Sequence, residues 1–284
     1  MGYNEIMKNK LMAIIGGILA ILLIVAFVLW PKGKSEISDG LKIYAFEAGK
    51  ADAFLIYDDE NAILIDTGEK ELGDTILEYL ELNNISKLDY LIITHFDKDH
   101  VGSAAQILES ITVNDVLQSN YPKDSKVYTK YLEALEKTGV NATAVMEDLD
   151  FGLGNVRVVI DAPAEEEYVS DASNNSSLIV KLYYGTTSWL FMGDAEDLRL
   201  SEYLSKNSEE FTFLKVPYHG HNQAQISNLV DTVRPKLAVI TSSDEEPEDD
   251  EVVSKLTQVG AEVFLTRKGA VLFTTDGENI ATSR

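Results

Sequence analysis

The chain has 284 residues, 45% of them apolar and 9% aromatic, enough to bury one sizeable core. Its 47 acidic residues outnumber 24 basic ones, giving a formal net charge of −23. That balance argues against a face that grips nucleic acid by charge alone, so a polyanionic substrate would need bound cations. Cysteine is absent, which excludes disulfides, thiolate metal ligands and a cysteine nucleophile, and suits an exported protein.

Residues 1–10 form a short N-terminal tail. The next stretch, "LMAIIGGILAILLIVAFVLW" (residues 11–30), has 20 residues without a charge or strongly polar group, and as a helix it matches a hydrocarbon core of about 30 Å. A cleavable signal peptide would have a shorter apolar stretch, of roughly 7–15 residues, before a small-residue cleavage site. Trp30, Pro31 and Lys32 close this one instead, so a single-pass membrane anchor in contact with the lipid bilayer is expected. Lys8 and Lys10 precede the span and Lys32 and Lys34 follow it, so the positive-inside bias discriminates little. A short tail inside and an extracellular catalytic domain is the usual arrangement.

Residues 31–40, "PKGKSEISDG", are polar and turn-rich and read as a linker. The globular domain is expected over residues 41–284. Strand-like runs recur along it: "LKIYAFEAG", "AFLIY", "NAILID", "LDYLIIT", "VRVVI", "SLIVKLYY", "SWLFM", "FTFLKVP", "KLAVIT", "EVFLT" and "AVLFTT". Between many of them lie helix-like stretches, "KELGDTILEYLELN", "AAQILES", "YTKYLEALEKTG", "AEDLRLSEYLSK" and "DDEVVSKLTQVG". The mixture defines an α/β domain. The acidic run "DEEPEDDE" (residues 244–251) reads as a solvated loop feeding a helix N-terminus; a weak calcium site is the alternative, without the ligand spacing of a calcium loop.

The chemistry concentrates in "THFDKDHVGS" (residues 94–103). His95, Asp97, Asp99 and His100 follow "LDYLIIT" and precede a helix-like stretch, so they occupy a loop at the C-terminal end of a strand, where sites form in open α/β sheets. In extended backbone, residues two apart point the same way, so His95 and Asp97 can converge while Asp99 and His100 address other points. Such spacing can serve two metal ions. Asp66 ends "NAILID", Asp194 ends "WLFMGD", and His219 with His221 follow "FTFLKVPY". All four histidines of the chain therefore belong to two strand-end clusters. One histidine alone is ordinarily a hydrogen-bonded loop residue. Four so placed, with aspartates, point to a divalent metal site.

These residues resemble the metallo-β-lactamase superfamily, in its order. The resemblance is closest to the C-terminal hydrolase-like domain of the competence protein ComEC, whose usual "SHPDADH", "NNSSLVL", "LLTGD" and "LKVPHHGS" are similar to "THFDKDH", "NNSSLIV", "LFMGD" and "LKVPYHGH". It covers essentially residues 41–284 and implies an αββα sandwich with two divalent ions, Zn²⁺ or Mn²⁺, and no other cofactor. By this resemblance His95 and Asp97 would hold one metal, Asp99, His100 and His219 the other, and Asp194 would bridge them. Asp66 would sit one layer behind the ligands. The chain departs from the commoner His-x-His-x-Asp-His pattern at Asp97, and no histidine lies between His100 and His219. Asn174 and Asn175 are neighbours of that weaker first position, or else a polar turn before "SLIVKLYY". Tyr218 replaces the first histidine of "HHGS" and His221 its serine; His221 is a substrate contact, a proton donor or an extra ligand.

A bound divalent metal lowers the pKa of its water from ~15.7 to about 7, giving hydroxide at neutral pH without a serine or cysteine nucleophile. Asp99 and His221 are the candidate catalytic residues. The resemblance implies a phosphodiesterase or nuclease acting on a phosphodiester or single-stranded nucleic acid. An ester or lactone hydrolase on the same fold, which the negative charge tolerates better, is the first alternative. A metal-stabilised binding module without turnover is the second.

Overall fold

The structure is a computed structural model that describes residue 37 and residues 40–284. The expected anchor at residues 11–30 lies outside the described residues. Among the described residues, no helix is long and apolar enough to cross a membrane.

Two sheets form the centre. The chain enters the first through β1 (Leu41–Ala45), β2 (Phe54–Tyr57), β3 (Ala62–Ile65), β4 (Lys87–Ile93), β5 (Thr112–Gln118) and β6 (Asn141–Ala144). It builds the second from β7 (Leu149–Leu153), β8 (Val156–Asp161), β9 (Ile179–Tyr184), β10 (Thr187–Phe191), β11 (Phe213–Lys215), β12 (Leu237–Ile240) and β13 (Glu262–Leu265). It then returns to the first sheet with β14 (Val271–Thr275) and β15 (Ile280–Ser283). The strand orders are β15-β14-β1-β2-β3-β4-β5-β6 and β13-β12-β11-β10-β9-β8-β7. In each sheet an antiparallel portion gives way to a parallel one, β3 to β6 in the first and β10 to β13 in the second.

Side-chain alternation explains the layering. In β4, Tyr90 and Ile92 face the opposite sheet, while Leu91 and Ile93 face helices on the outside, so both faces are buried and the strand reads as a nearly continuous apolar run. The layer between the sheets includes Phe54, Trp189, Phe191, Phe213 and Phe273. Phe54 and Phe191 meet edge to face at 5.3 Å, and Phe213 and Phe273 at 5.2 Å, each pair adding about 0.5–1.5 kcal/mol beyond its buried area.

Helices Gly73–Leu82, Ala104–Ser110 and Lys126–Thr138 cover the first sheet through Ile76, Leu80, Ile107, Leu108 and Tyr131. Helices Asp197–Lys206, Ile226–Val233 and Asp250–Gln258 cover the second through Leu200, Leu229, Val230 and Leu256. This is the αββα sandwich that the sequence resemblance implied. The third helix shows why its ends fall where they do. Ser125 accepts a hydrogen bond from the Tyr128 amide at its start, and Gly139 takes φ 70° at its end, the left-handed conformation that glycine adopts at least cost.

The parallel strands place the site. The residues just past β3, β4, β10, β11 and β12 are Asp66, Thr94 and His95, Asp194, His219 and Thr241. Both sheets thus contribute C-terminal strand ends to one edge of the sandwich.

Candidate metal centre

Short turns lock the strand ends together. Asp66 has φ 57°, in the left-handed region that aspartate tolerates better than most residues. Its carboxylate accepts the Thr94 amide at 2.8 Å and the Thr94 hydroxyl at 2.7 Å. The His100 carbonyl accepts the Thr67 amide at 2.7 Å and the Thr67 hydroxyl at 2.9 Å. The 66–68 turn therefore clips the 94–103 loop to the sheet. Gly102 has no room for a side chain, because a Cβ there would lie 2.4 Å from the Lys98 carbonyl oxygen and 2.5 Å from that of Gly68.

Asp99, His100, Asp194 and His219 each present a ligand atom, all within 4.8 Å of one another. His219 Nε2 lies 2.9 Å from Asp194 Oδ2 and 3.4 Å from Asp99 Oδ2, and His100 Nε2 lies 3.3 Å from the same Asp194 oxygen. The opposite ring nitrogens are held from behind. His100 Nδ1 is 2.8 Å from Asp66 Oδ2, and His219 Nδ1 is 2.9 Å from the Thr241 carbonyl oxygen. Among the described residues, the Nε2 atoms of His95, His100 and His219 are buried without a well-aligned hydrogen-bond partner, and those of His100 and His219 face the Asp194 and Asp99 carboxylates. Two imidazoles oriented by rear partners, with two carboxylates, fit a divalent ion at this point.

His219 is delivered by an unusual backbone: Tyr218 and His219 have φ 49° and 51°. Left-handed non-glycine residues cost about 1–3 kcal/mol each and cluster at functional sites.

Charges in the cluster are mutually dependent. Burial disfavours the His219 imidazolium, but Asp194 and Asp99 outweigh it and raise the group to about 9. His100 is likewise raised well above the usual histidine range, against burial, by Asp194, Asp66 and Asp52. His95 goes the other way, to about 4, through burial and the neighbouring His100. Asp194 and Asp99 stay ionised despite burial because of the cationic groups around them. Divalent metal and protons therefore compete for the same imidazoles.

The remaining expected residues are placed differently. Asp97 lies 3.9 Å from His95 Nε2 through its Oδ1, but that oxygen receives Lys123 Nζ and the Ser173 hydroxyl. His95 and Asp97 are outside the four-residue cluster. Asn174 donates to Glu196 at 2.6 Å. Asn175 is buried, donates to the Ser170 carbonyl at 3.0 Å and accepts the Arg199 amide at 2.9 Å, so it shapes the turn and caps the helix that follows. His221 has 28% of its side chain exposed and lies 3.9 Å from Asp249. The acidic run is a loop held by Arg267, which pairs with Glu248 at 3.0 Å and Asp244 at 3.1 Å, and it leads into helix Asp250–Gln258.

Sequence reasoning missed Asp52, Lys215 and Thr241. The Lys215 ammonium is buried, hydrogen-bonds the Gly193 carbonyl at 2.8 Å, pairs with Asp52 and lies 3.4 Å from Asp194. Thr241 donates to Asp52 at 2.6 Å. The available signal was a lysine inside the apolar strand "FTFLKVP", since lysine is almost never fully buried unpaired. Asp52, ahead of "AFLIY", carried no comparable mark.

With this fold and this cluster, the chain belongs to the metallo-β-lactamase superfamily, whose sequence pattern matches residues 47–242. The superfamily binds divalent metals, and membership makes the chain, in general terms, a metal-dependent hydrolase. Among characterised sequences it is 29% identical to ComE operon protein 3 of Bacillus subtilis over 201 residues, 63% of this chain and 25% of that protein. It is 26% identical to Recombination protein 2 of Haemophilus influenzae over 206 residues, 71% of this chain and 24% of that protein. Both are ComEC-like, and the chain spans about a quarter of their length. The fold also matches the metallo-β-lactamase fold protein YhfI from Bacillus subtilis, with a TM-score of 0.55 at 12% identity over 86% of this chain and 100% of that one.

Proposed function

We propose that this chain is a membrane-anchored, metal-dependent phosphodiesterase or nuclease of the ComEC-like type, acting on small or single-stranded phosphodiesters. The observation that carries the catalytic part is the convergence of Asp99, His100, Asp194 and His219, with two oriented Nε2 atoms that have no well-aligned hydrogen-bond partner among the described residues. When bound there, a divalent ion supplies an activated water and neutralises charge on the attacked group.

The chain's own residues do the rest. Asp66 and Thr241 fix the two ligand rings from behind. Asp99, the least buried of the four ligands, accepts the proton of the attacking water. His221, partly exposed two residues beyond His219, donates a proton to the leaving oxygen.

A neutral ester or lactone is the second reading, and a specific feature favours it. The cleft of about 530 Å³ next to Asp99 is lined by Glu47, Glu69, Glu71 and Glu246 against only Lys50 and Lys98. The proposed anchor at residues 11–30 and the extracellular placement rest on the apolar run and the lack of cysteine; a role in DNA uptake rests on the ComEC-like resemblance.

The full-length chain, stripped with a chelator and reloaded with Mn²⁺ or Zn²⁺, should be assayed on a bis-aryl phosphate, a lactone and a β-lactam. Metal-dependent turnover should be fastest on the diester. Faster lactone cleavage moves the function to the second reading, and no turnover of any substrate with metal bound leaves a binding module.

A further inference from the structure

The first metal position of the superfamily pattern, at His95 and Asp97, is built differently from the second. Asp97 Oδ1, the oxygen nearest His95, receives the Lys123 ammonium and the Ser173 hydroxyl. Lys123 Nζ is itself 3.3 Å from Ser173 Oγ. A carboxylate oxygen saturated by an ammonium and a hydroxyl has little left for a metal. A divalent ion bound to it would also sit against a fixed positive charge.

Lys123 does not reach this point from a free-standing loop. Its segment leaves β5 through Ser119, whose amide donates to the Ile93 carbonyl at 3.1 Å and whose hydroxyl donates to the Ser176 carbonyl at 3.0 Å. The Tyr121 amide returns to Ser119 Oγ at 3.2 Å. Ser125 then caps the helix that begins at Lys126. The lysine is therefore held between two anchored points: Ser119, tied to the segments that carry His95 and Asn175, and Ser125, which caps the next helix. Its side chain remains 32% exposed.

We propose that Lys123 stands in for the first metal ion, so that the chain binds one divalent ion, at Asp99, His100, Asp194 and His219, beside a resident ammonium paired with Asp97. His95 then remains a neutral, buried ring packed 4.0 Å from His100. The inference rests on reading the four-residue cluster as a metal site, and the experiment distinguishes the two.

Metal content per chain is measured on the full-length protein by elemental analysis after loading with excess Mn²⁺ or Zn²⁺ and removal of free ion. The wild type should retain one ion. Asp97→Asn should also retain one, because Asp97 is not a ligand, and Lys123→Arg should hold the count at one. Lys123→Ala should admit a second ion, because it frees Asp97 to join His95. Two ions in the wild type, or a fall from two to one in Asp97→Asn, would overturn the proposal. So would a count of one in a folded Lys123→Ala chain, because the lysine would then not be what excludes the ion. No ion in the wild type would overturn the metal-centre reading as well. If Lys123→Ala does not fold, the wild-type and Asp97→Asn counts still decide.

Discussion

His100 Nδ1 lies 2.8 Å from Asp66 Oδ2, while its Nε2 lies 3.3 Å from Asp194 Oδ2 and has no well-aligned hydrogen-bond partner among the described residues. The carboxylate behind the ring fixes Nδ1 as the protonated nitrogen and leaves the Nε2 lone pair for an ion. Asp66→Ala should therefore lower metal affinity or turnover by roughly 10–100-fold, with activity falling more than metal content at saturating ion. The same change strips the Thr94 amide of its acceptor, which costs about 1–3 kcal/mol for a buried donor. Thermal unfolding together with metal titration checks both parts; unchanged values in each would remove Asp66 from the account.

Metal affinity should depend steeply on pH. His219 is held near 9, and His100 well above its usual range, by the surrounding carboxylates, so an entering ion must displace protons. Affinity should rise with pH up to about 9, by roughly tenfold per pH unit for each proton released. The chelated protein should respond in the opposite sense. A histidine whose folded pKa is raised stabilises the fold fully below its unfolded value of about 6.5, and that contribution is lost as pH rises through about 9. Proton release on metal addition, followed in weakly buffered solution, measures the first effect. Melting of the chelated chain across pH 6.5–9 measures the second.

Lys215 is buried between Asp52 and Asp194. Lys215→Met would leave two buried carboxylates without their ammonium, a loss of about 3–5 kcal/mol for breaking such a pair. The metal-free protein should be destabilised most, because a bound ion still compensates Asp194. Chemical denaturation of both forms checks this. Equal destabilisation with and without metal would show that Lys215 acts on the fold alone.

The proposed anchor at residues 11–30 gives a topological expectation. Protease added to intact cells should remove the domain that follows residue 40, and cleavage only after lysis would reverse the orientation.

Much of this fold was readable because the sheets are buried on both faces. "LDYLIIT" and "SLIVKLYY" became β4 and β9 because strands covered on two sides keep few polar residues. Where a strand lies at an edge or is interrupted by polar residues, that signal fails. β6, Asn141–Ala144, is a mostly exposed edge strand, and β5 carries Asn114 and Asp115 in its middle. Helix Ile226–Val233 escaped notice because it spans only eight residues and lies beside polar "HNQAQ".

The site was legible where chemistry singles out residue types, as with His100, Asp194 and His219. It was not legible where function depends on a long-range meeting. Asp52 and Thr241 lie 189 positions apart. Lys123 reaches Asp97 from a loop 26 positions away, and nothing in "NYPKDS" announces it.

The central claim is that one divalent ion is bound by the four converging side chains. Anomalous diffraction from crystals of the protein soaked in Mn²⁺ tests it most directly. A single strong peak bounded by His100 Nε2, His219 Nε2, Asp194 and Asp99 is predicted, and it should vanish in His219→Ala. The absence of a peak there at saturating Mn²⁺, or a peak that persists at full height in both His219→Ala and Asp99→Ala, would contradict the account.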